Sequence, residues 1–143
     1  MIEVKLLTEY SPLQLDQLIE LMLQLCPTCP KLNSQHLDYL LEHPTSRLFV
    51  ALESDVIVGA VTLAWHPIPT IMRVWIEDVV VDSKQRGKKI GKALVLHAIE
   101  EARKLGFLQI DLTSRPEREE ANKLYIKLGF QKRETNAYRL LLK

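Results

Sequence analysis

The chain has 143 residues with 47% hydrophobic and 26% charged side chains, enough to bury a core and too apolar for wholesale disorder. Nineteen Lys and Arg against eighteen Asp and Glu leave a formal charge of +1, so no global field recruits nucleic acid or membrane. No apolar run approaches the roughly 18–20 residues of a membrane span, and the start lacks the apolar stretch of a signal peptide. A single cytoplasmic domain over residues 1–143 is the expectation.

In chain order, Met1–Leu7 alternates Ile2, Val4 and Leu6 with Glu3 and Lys5, which predicts a strand. Ser11-Pro12-Leu13-Gln14 reads as an N-cap, a first-position proline and a capping-box glutamine. The stripe Leu15, Leu18, Ile19, Met22, Leu23 continues that helix until Pro27. Cys26 and Cys29 lie in Cys-Pro-Thr-Cys-Pro at its end; no further ligands at zinc-finger spacing follow, so two reduced thiols are expected. A short helix from about Ser34 follows, with Leu37, Leu40 and Leu41 on one face and Pro44 after it.

Arg47–Leu52 and Val56–Trp65 read as strands joined by the turn Glu53-Ser54-Asp55. His66-Pro67-Ile68-Pro69-Thr70 is expected as a loop, since close prolines interrupt a ladder. Arg73–Val81 is a further strand, and the basic stretch Lys84–Lys92 leads into a helix ended by Gly106. Phe107–Leu112 predicts a strand, Glu117–Leu128 a helix, and Phe130–Lys132 and Tyr138–Leu142 two closing strands.

The junction after Val81 is the most informative segment. A strand entering a helix through Gly87 and Gly91 can aim backbone N–H groups at one point, where the helix end adds positive potential. Lys84, Arg86, Lys88, Lys89 and Lys92 surround it with no acid between them, a setting suited to phosphate or pyrophosphate. It is not a Walker loop: three residues separate the glycines, and Ala93, not Ser or Thr, follows Lys92. The dinucleotide fingerprint G-x-G-x-x-G is absent as well. A solvated basic helix start is the plain alternative.

Arg86-Gly87-Lys88-Lys89-Ile90-Gly91 resembles the [Arg/Gln]-x-x-Gly-x-[Gly/Ala] loop of the GNAT superfamily of acyl-CoA-dependent N-acetyltransferases, with Lys89 where the first glycine is usual. A second signature of that family, Ala-x-x-Leu-Tyr-x-x-x-Gly-Phe, stands intact from Ala121 to Phe130. The resemblance implies an α/β fold with a mixed, mostly antiparallel central sheet of about seven strands, the fourth and fifth splayed, flanked by about four helices.

It also implies acetyl-CoA as acyl donor, without a metal. The backbone of Arg86, Gly87, Lys88, Lys89, Ile90, Gly91 and Lys92 would hold the pyrophosphate, and Val79, Val80 and Val81 would pair with the pantetheine arm. Asn122 is a further candidate for cofactor contact. Many members carry an asparagine seven residues before the tyrosine, where this chain has Arg118.

Tyr125 corresponds to the family's general acid: a phenol of pKa about 10 can protonate a departing thiolate of pKa near 8.5. As a patterned aromatic it also fits a simple core position. Glu77, or its neighbour Asp78, is placed to accept the amine proton; only one of two adjacent strand residues can face the acceptor. The segment Ile76 to Val81 closely resembles the corresponding strand of glucosamine-phosphate N-acetyltransferases. A backbone N–H at Val79 or Val80 is the expected oxyanion donor.

The implied reaction is direct transfer to a small amine, amino sugar or peptide amine, with no covalent enzyme intermediate. A non-catalytic acyl-CoA-binding or sensing module on the same fold is the alternative. Nucleic-acid binding through Lys84–Lys92 fits poorly, because aromatics are not interleaved with the basic residues. A homodimer is compatible with these features.

Overall fold

The computed structural model describes residues 1–143 and divides into two compact units, Met1–Leu112 and Thr113–Lys143. The first unit holds a four-stranded antiparallel sheet in the order β1 (Ile2–Leu6), β2 (Ser46–Glu53), β3 (Val56–Pro67), β4 (Met72–Val81). Helices α1 (Pro12–Leu25) and α2 (Ser34–Glu42) connect β1 to β2, and α3 (Ile90–Lys104) follows β4.

Local chemistry sets the ends of these elements. Ser11 caps α1: its hydroxyl accepts from Gln14 N–H at 3.1 Å, and Gln14 Oε1 accepts from Ser11 N–H at 3.0 Å. Two orphan amides are thereby satisfied at once. Asn33 caps α2, its carbonyl oxygen accepting from His36 N–H at 2.8 Å. Ser54 and Asp55 both adopt positive φ (50° and 65°), the conformation of a tight hairpin turn matched to strand twist.

Register assigns the two faces. Residues opposite one another across a ladder share a face. Leu48, Val50 and Leu52 of β2 therefore join Ala60 of β3 and Val80 of β4 in a core with Leu18 and Leu21 of α1 and Leu37 of α2. Phe49, Val61, Leu63, Val74 and Ile76 are buried on the opposite face, the one α3 covers. His97 of α3 packs edge-on against Phe49, with ring centroids 4.7 Å apart, so its role is packing. Gly59 lets the helix approach: a Cβ there would lie 3.0 Å from Leu94 Cδ1 and 3.2 Å from Ile90 Cγ2.

Several expectations are corrected. The sheet has four strands, not about seven. Phe107–Leu112 forms no strand; only Asp111 reaches β4, in a single parallel bridge to Trp75. Asp111 N–H donates to Val74 O at 2.9 Å, and Ile76 N–H donates to Asp111 O at 3.0 Å. Alternating side chains supply β propensity, but a strand needs a continuous ladder, and here one rung forms.

In the second unit, Phe130–Lys132 and Tyr138–Leu142 carry no regular structure for the same reason. Its helix, α4, spans Glu119–Lys127, shorter than Glu117–Leu128, and Gly129 at φ 100° follows its end. β3 extends through Pro67, which sits at its last position. Cys26 and Cys29 are not reduced thiols: they are joined in a disulfide across a Cα separation of 5.4 Å. The turn at Pro27-Thr28, closed by Cys29 N–H to Cys26 O at 3.2 Å, brings them together.

No helix is long and apolar enough to cross a membrane.

Candidate active site

β4 is interrupted by a bulge that redirects its second half. Thr62 lies opposite Glu77 and Ala60 opposite Val80, so Val61 alone faces the pair Asp78 and Val79. Asp78 takes up the extra residue at φ 50°, in the left-handed region. The consequence for the backbone is a change of parity. Ile76 N–H points to the outer edge, bonding Asp111, whereas Asp82 N–H points inward, donating to Val58 O at 2.9 Å.

In an uninterrupted strand two even-numbered positions would face the same edge. The bulge therefore turns the backbone of Val79 and Val81 toward the outer edge and that of Val80 toward β3. Val80 is the register partner of Ala60 and its side chain is buried in the α1–α2 core. Of the two residues expected to offer an oxyanion N–H, Val80 is thus turned toward β3.

Glu77 and Asp78 are both exposed, at the bulge itself. Partial desolvation, and then the neighbouring Asp78 charge, push the Glu77 carboxyl above the usual glutamate range. Glu77 shares its sheet face with Trp75 and, across the ladder, with Thr62.

After Val81 the chain makes a 3-10 turn at Ser83–Gln85 and then enters α3. Asp82 starts the turn, its carboxylate accepting from Lys84 N–H at 3.2 Å. Gln24 of α1 pins the same point: its Nε2 donates to Asp82 Oδ1 at 3.3 Å, and its Oε1 accepts from Ser83 N–H at 3.0 Å. Nothing in the sequence singles out Gln24, since the contact spans 58 residues.

Gly87 (φ 85°) and Lys89 (φ 60°, ψ 28°) both take left-handed conformations immediately before the helix. Lys89 is the N-cap and supplies no side-chain hydrogen bond, and the first turn of α3 contains no acid. The leading N–H groups of α3 therefore remain to be satisfied, in a positive local field. That arrangement fits a pyrophosphate. Lys84, Arg86, Lys89 and Lys92 form no ion pair. Lys88 does not join them: its Nζ is held by Gln85 Oε1 at 2.6 Å and Glu53 Oε2 at 3.4 Å, back toward the β2–β3 turn.

Lys89 occupies the backbone conformation that favours glycine. A left-handed residue costs roughly 1–2 kcal/mol with a side chain, and glycine returns about 0.5–1 kcal/mol of that as unfolded-state entropy. Lys89→Gly is expected to leave stability unchanged or raise it by about 0.5 kcal/mol. Urea unfolding checks this, and a clear destabilisation would show that the Lys89 side chain has a folded-state role.

In the second unit, Tyr125 is 5% exposed and packs edge-on against Phe130, with centroids 5.8 Å apart. Its hydroxyl makes no hydrogen bond within the chain, so the phenolic proton is not committed elsewhere. Burial raises its pKa, opposed by the Arg118 charge. Asn122 does not offer its amide freely: Nδ2 donates to Arg115 O at 3.0 Å, tying α4 to the turn before it. No three His, Cys, Asp or Glu side chains group to hold a metal ion.

A family model described as Acetyltransferase (GNAT) family matches residues 15–130, spanning β4, the glycine loop, α3 and α4. The chain belongs to the GNAT acetyltransferase family. A search of curated proteins gave no match.

Solved structures agree in fold with this GNAT chain over nearly its whole length. An acetyltransferase from Trypanosoma brucei is 27% identical, with 99% of this chain and 100% of that one covered and a TM-score of 0.81. A protein of Agrobacterium tumefaciens described as an acetyltransferase is also 27% identical, covering 97% of this chain and 99% of its own, at a TM-score of 0.82. An aminoglycoside acetyltransferase from an uncultured soil metagenomic sample, in complex with trehalose, is 22% identical. It covers 99% of this chain and 97% of its own at a TM-score of 0.86, a likeness of fold alone.

Proposed function

We propose that this GNAT chain acts as one domain that transfers an acetyl group from acetyl-CoA directly to an acceptor amine. The observation that carries the reading is the uncapped N-terminus of α3, approached through left-handed Gly87 and Lys89 and flanked by unpaired cations. Those amides and the side chains of Lys84, Arg86 and Lys92 would bind the pyrophosphate and the ribose phosphate. The outer edge of β4 from Val79 to Val81 would align the pantetheine arm as an added strand. Acetyl-CoA supplies an activated acyl group; the chain supplies orientation and proton transfer.

Glu77 would take the proton from the attacking ammonium, directly or through one water. Its raised pKa, from partial desolvation and the neighbouring Asp78 charge, makes it a stronger base than an ordinary glutamate. Tyr125 would hold its proton until the thiolate departs, then donate it; burial keeps the phenol protonated. The route is direct because the chain has no free thiol to carry the acyl group: both cysteines are in the disulfide.

Calorimetric titration with acetyl-CoA and dephospho-CoA tests the binding half. Micromolar binding of acetyl-CoA, weaker for dephospho-CoA, is expected, and no binding of either would overturn the proposal. Thiol release with an amine panel tests transfer.

The Glu77 assignment makes a signed prediction. Activity should rise with pH through a pKa above the ordinary glutamate value, and Glu77→Gln should remove that acid limb and lower kcat about a hundredfold. A carboxyl whose folded pKa is raised contributes stability below its unfolded pKa, and this is lost as pH rises through the folded value. Glu77→Gln should therefore not lower the thermal midpoint at neutral pH. A variant that loses activity by unfolding would contradict both statements.

A further inference from the structure

β4 places Arg73, Trp75 and Glu77 at alternate positions on one face, with His66, Ala64 and Thr62 opposite them on β3. The α1–α2 core lies farther along this same face, at Ala60 and Val80. On this face Arg73 and Trp75 are half-buried and Glu77 is exposed.

Arg73 is unusual within it. Its guanidinium carbon lies 5.8 Å from the centre of the Trp75 ring, and the side chain forms no ion pair. Its Nε is buried and has no hydrogen-bond partner. A buried donor with nothing to donate to is uncommon in folded proteins and calls for an explanation such as a missing ligand. A guanidinium beside an aromatic ring still has planar donors to offer a carboxylate or phosphate oxygen pair. Four residue steps along the strand separate Arg73 from Glu77, roughly 13 Å, with Trp75 midway on the same face.

We infer that the acceptor is a small amine bearing its own anionic group, a carboxylate or a phosphate, bound by Arg73 while the amine faces Glu77. The inference rests on the N-acetyltransferase reading above and adds the class of acceptor. The charge arrangement explains the choice: the acid on this face, Glu77, stands at one end, and the cation stands at the other. A polycationic amine would place positive charge against Arg73.

The test uses acceptor pairs that differ in one anionic group: glucosamine 6-phosphate against glucosamine, and lysine against lysinamide. Thiol release from acetyl-CoA should give at least a tenfold higher kcat/KM for the anionic member of one pair, and which pair responds separates phosphate from carboxylate. Arg73→Gln should lower kcat/KM for that anionic member at least tenfold more than for its neutral partner, with Arg73→Lys restoring part of the difference.

Equal use of both members in both pairs, preference for the neutral members, or an unchanged ratio in Arg73→Gln would overturn the inference. Quenching of Trp75 fluorescence by the same four amines, in the wild type and in Arg73→Gln, reads binding without turnover. Saturable binding of an anionic amine lost in Arg73→Gln, with no thiol released, would uphold the anion site and sink the transferase reading. Absence of any Arg73-dependent binding and of any anionic preference would sink the anion site alone if thiol is still released.

Discussion

Tyr125→Phe is expected to lower kcat for acetyl transfer by about a hundredfold or more, the usual contribution of a positioned general acid. Binding of acetyl-CoA and the thermal midpoint should stay near wild type. The substitution keeps the ring that packs against Phe130 and removes only a hydroxyl that has no partner within the chain, so no buried acceptor is orphaned. Leaving-group acidity provides a second readout. Once leaving-group protonation limits the rate, acyl donors with a more acidic thiol should lose less in Tyr125→Phe than acetyl-CoA does. Unchanged kcat would reduce Tyr125 to a core residue, the role its position on α4 also fits.

Gly59→Val should give the largest loss of stability, about 3 kcal/mol or more, out of a total that for domains of this kind is about 5–15 kcal/mol. An ideal Cβ at Gly59 lies 3.0 Å from Val80 O, a backbone atom at the β4 bulge, as well as 3.0 Å from Leu94 Cδ1. The carbonyl cannot rotate away as a side-chain tip can. Relief has to come from shifting β4 at its bulge and α3 off the sheet, which also moves the N-terminus that would hold pyrophosphate. Acetyl-CoA affinity should fall in whatever fraction remains folded. Gly91→Ala is the control: a Cβ there meets only Val81 Cγ2 at 3.7 Å, an ordinary contact, and a helical alanine is favoured over glycine. Urea unfolding of the two variants should separate by several kcal/mol, and similar midpoints would show that α3 is not seated through Gly59.

The parts of the candidate site legible in the sequence are those whose chemistry is local. Gly87 reports a left-handed turn, and Gly91 with the run of cations reports an anion-binding helix start. The tyrosine signature lies within one helix turn of its own glycine stop. Lys88 groups with the other cations in the sequence because its charge is visible in the chain. Its withdrawal to Glu53 depends on a hairpin 35 residues away. Gln24 and Arg73 carry no local signal at all, since one acts through a contact 58 residues distant and the other through the face that register assigns to it.

The same division governs the fold. Capping at Ser11 and Asn33, the Ser54-Asp55 turn and the helical stripes of α1 to α3 are written in neighbours a few positions apart, because helix and turn energies depend on residues within about one turn. Strand count, the bulge and the outward turn of Val79 and Val81 are not. Phe107–Leu112 alternates and Tyr138–Leu142 is apolar, but a strand exists only where another satisfies its backbone along a ladder; the first makes one bridge, at Asp111, and the second carries no strand. By itself the chain of residues determined the helices, the turns and the glycine loop. Only the tertiary structure decided which strands pair and which way Glu77 and Arg73 face, because cross-strand register is a property of two segments and not of one.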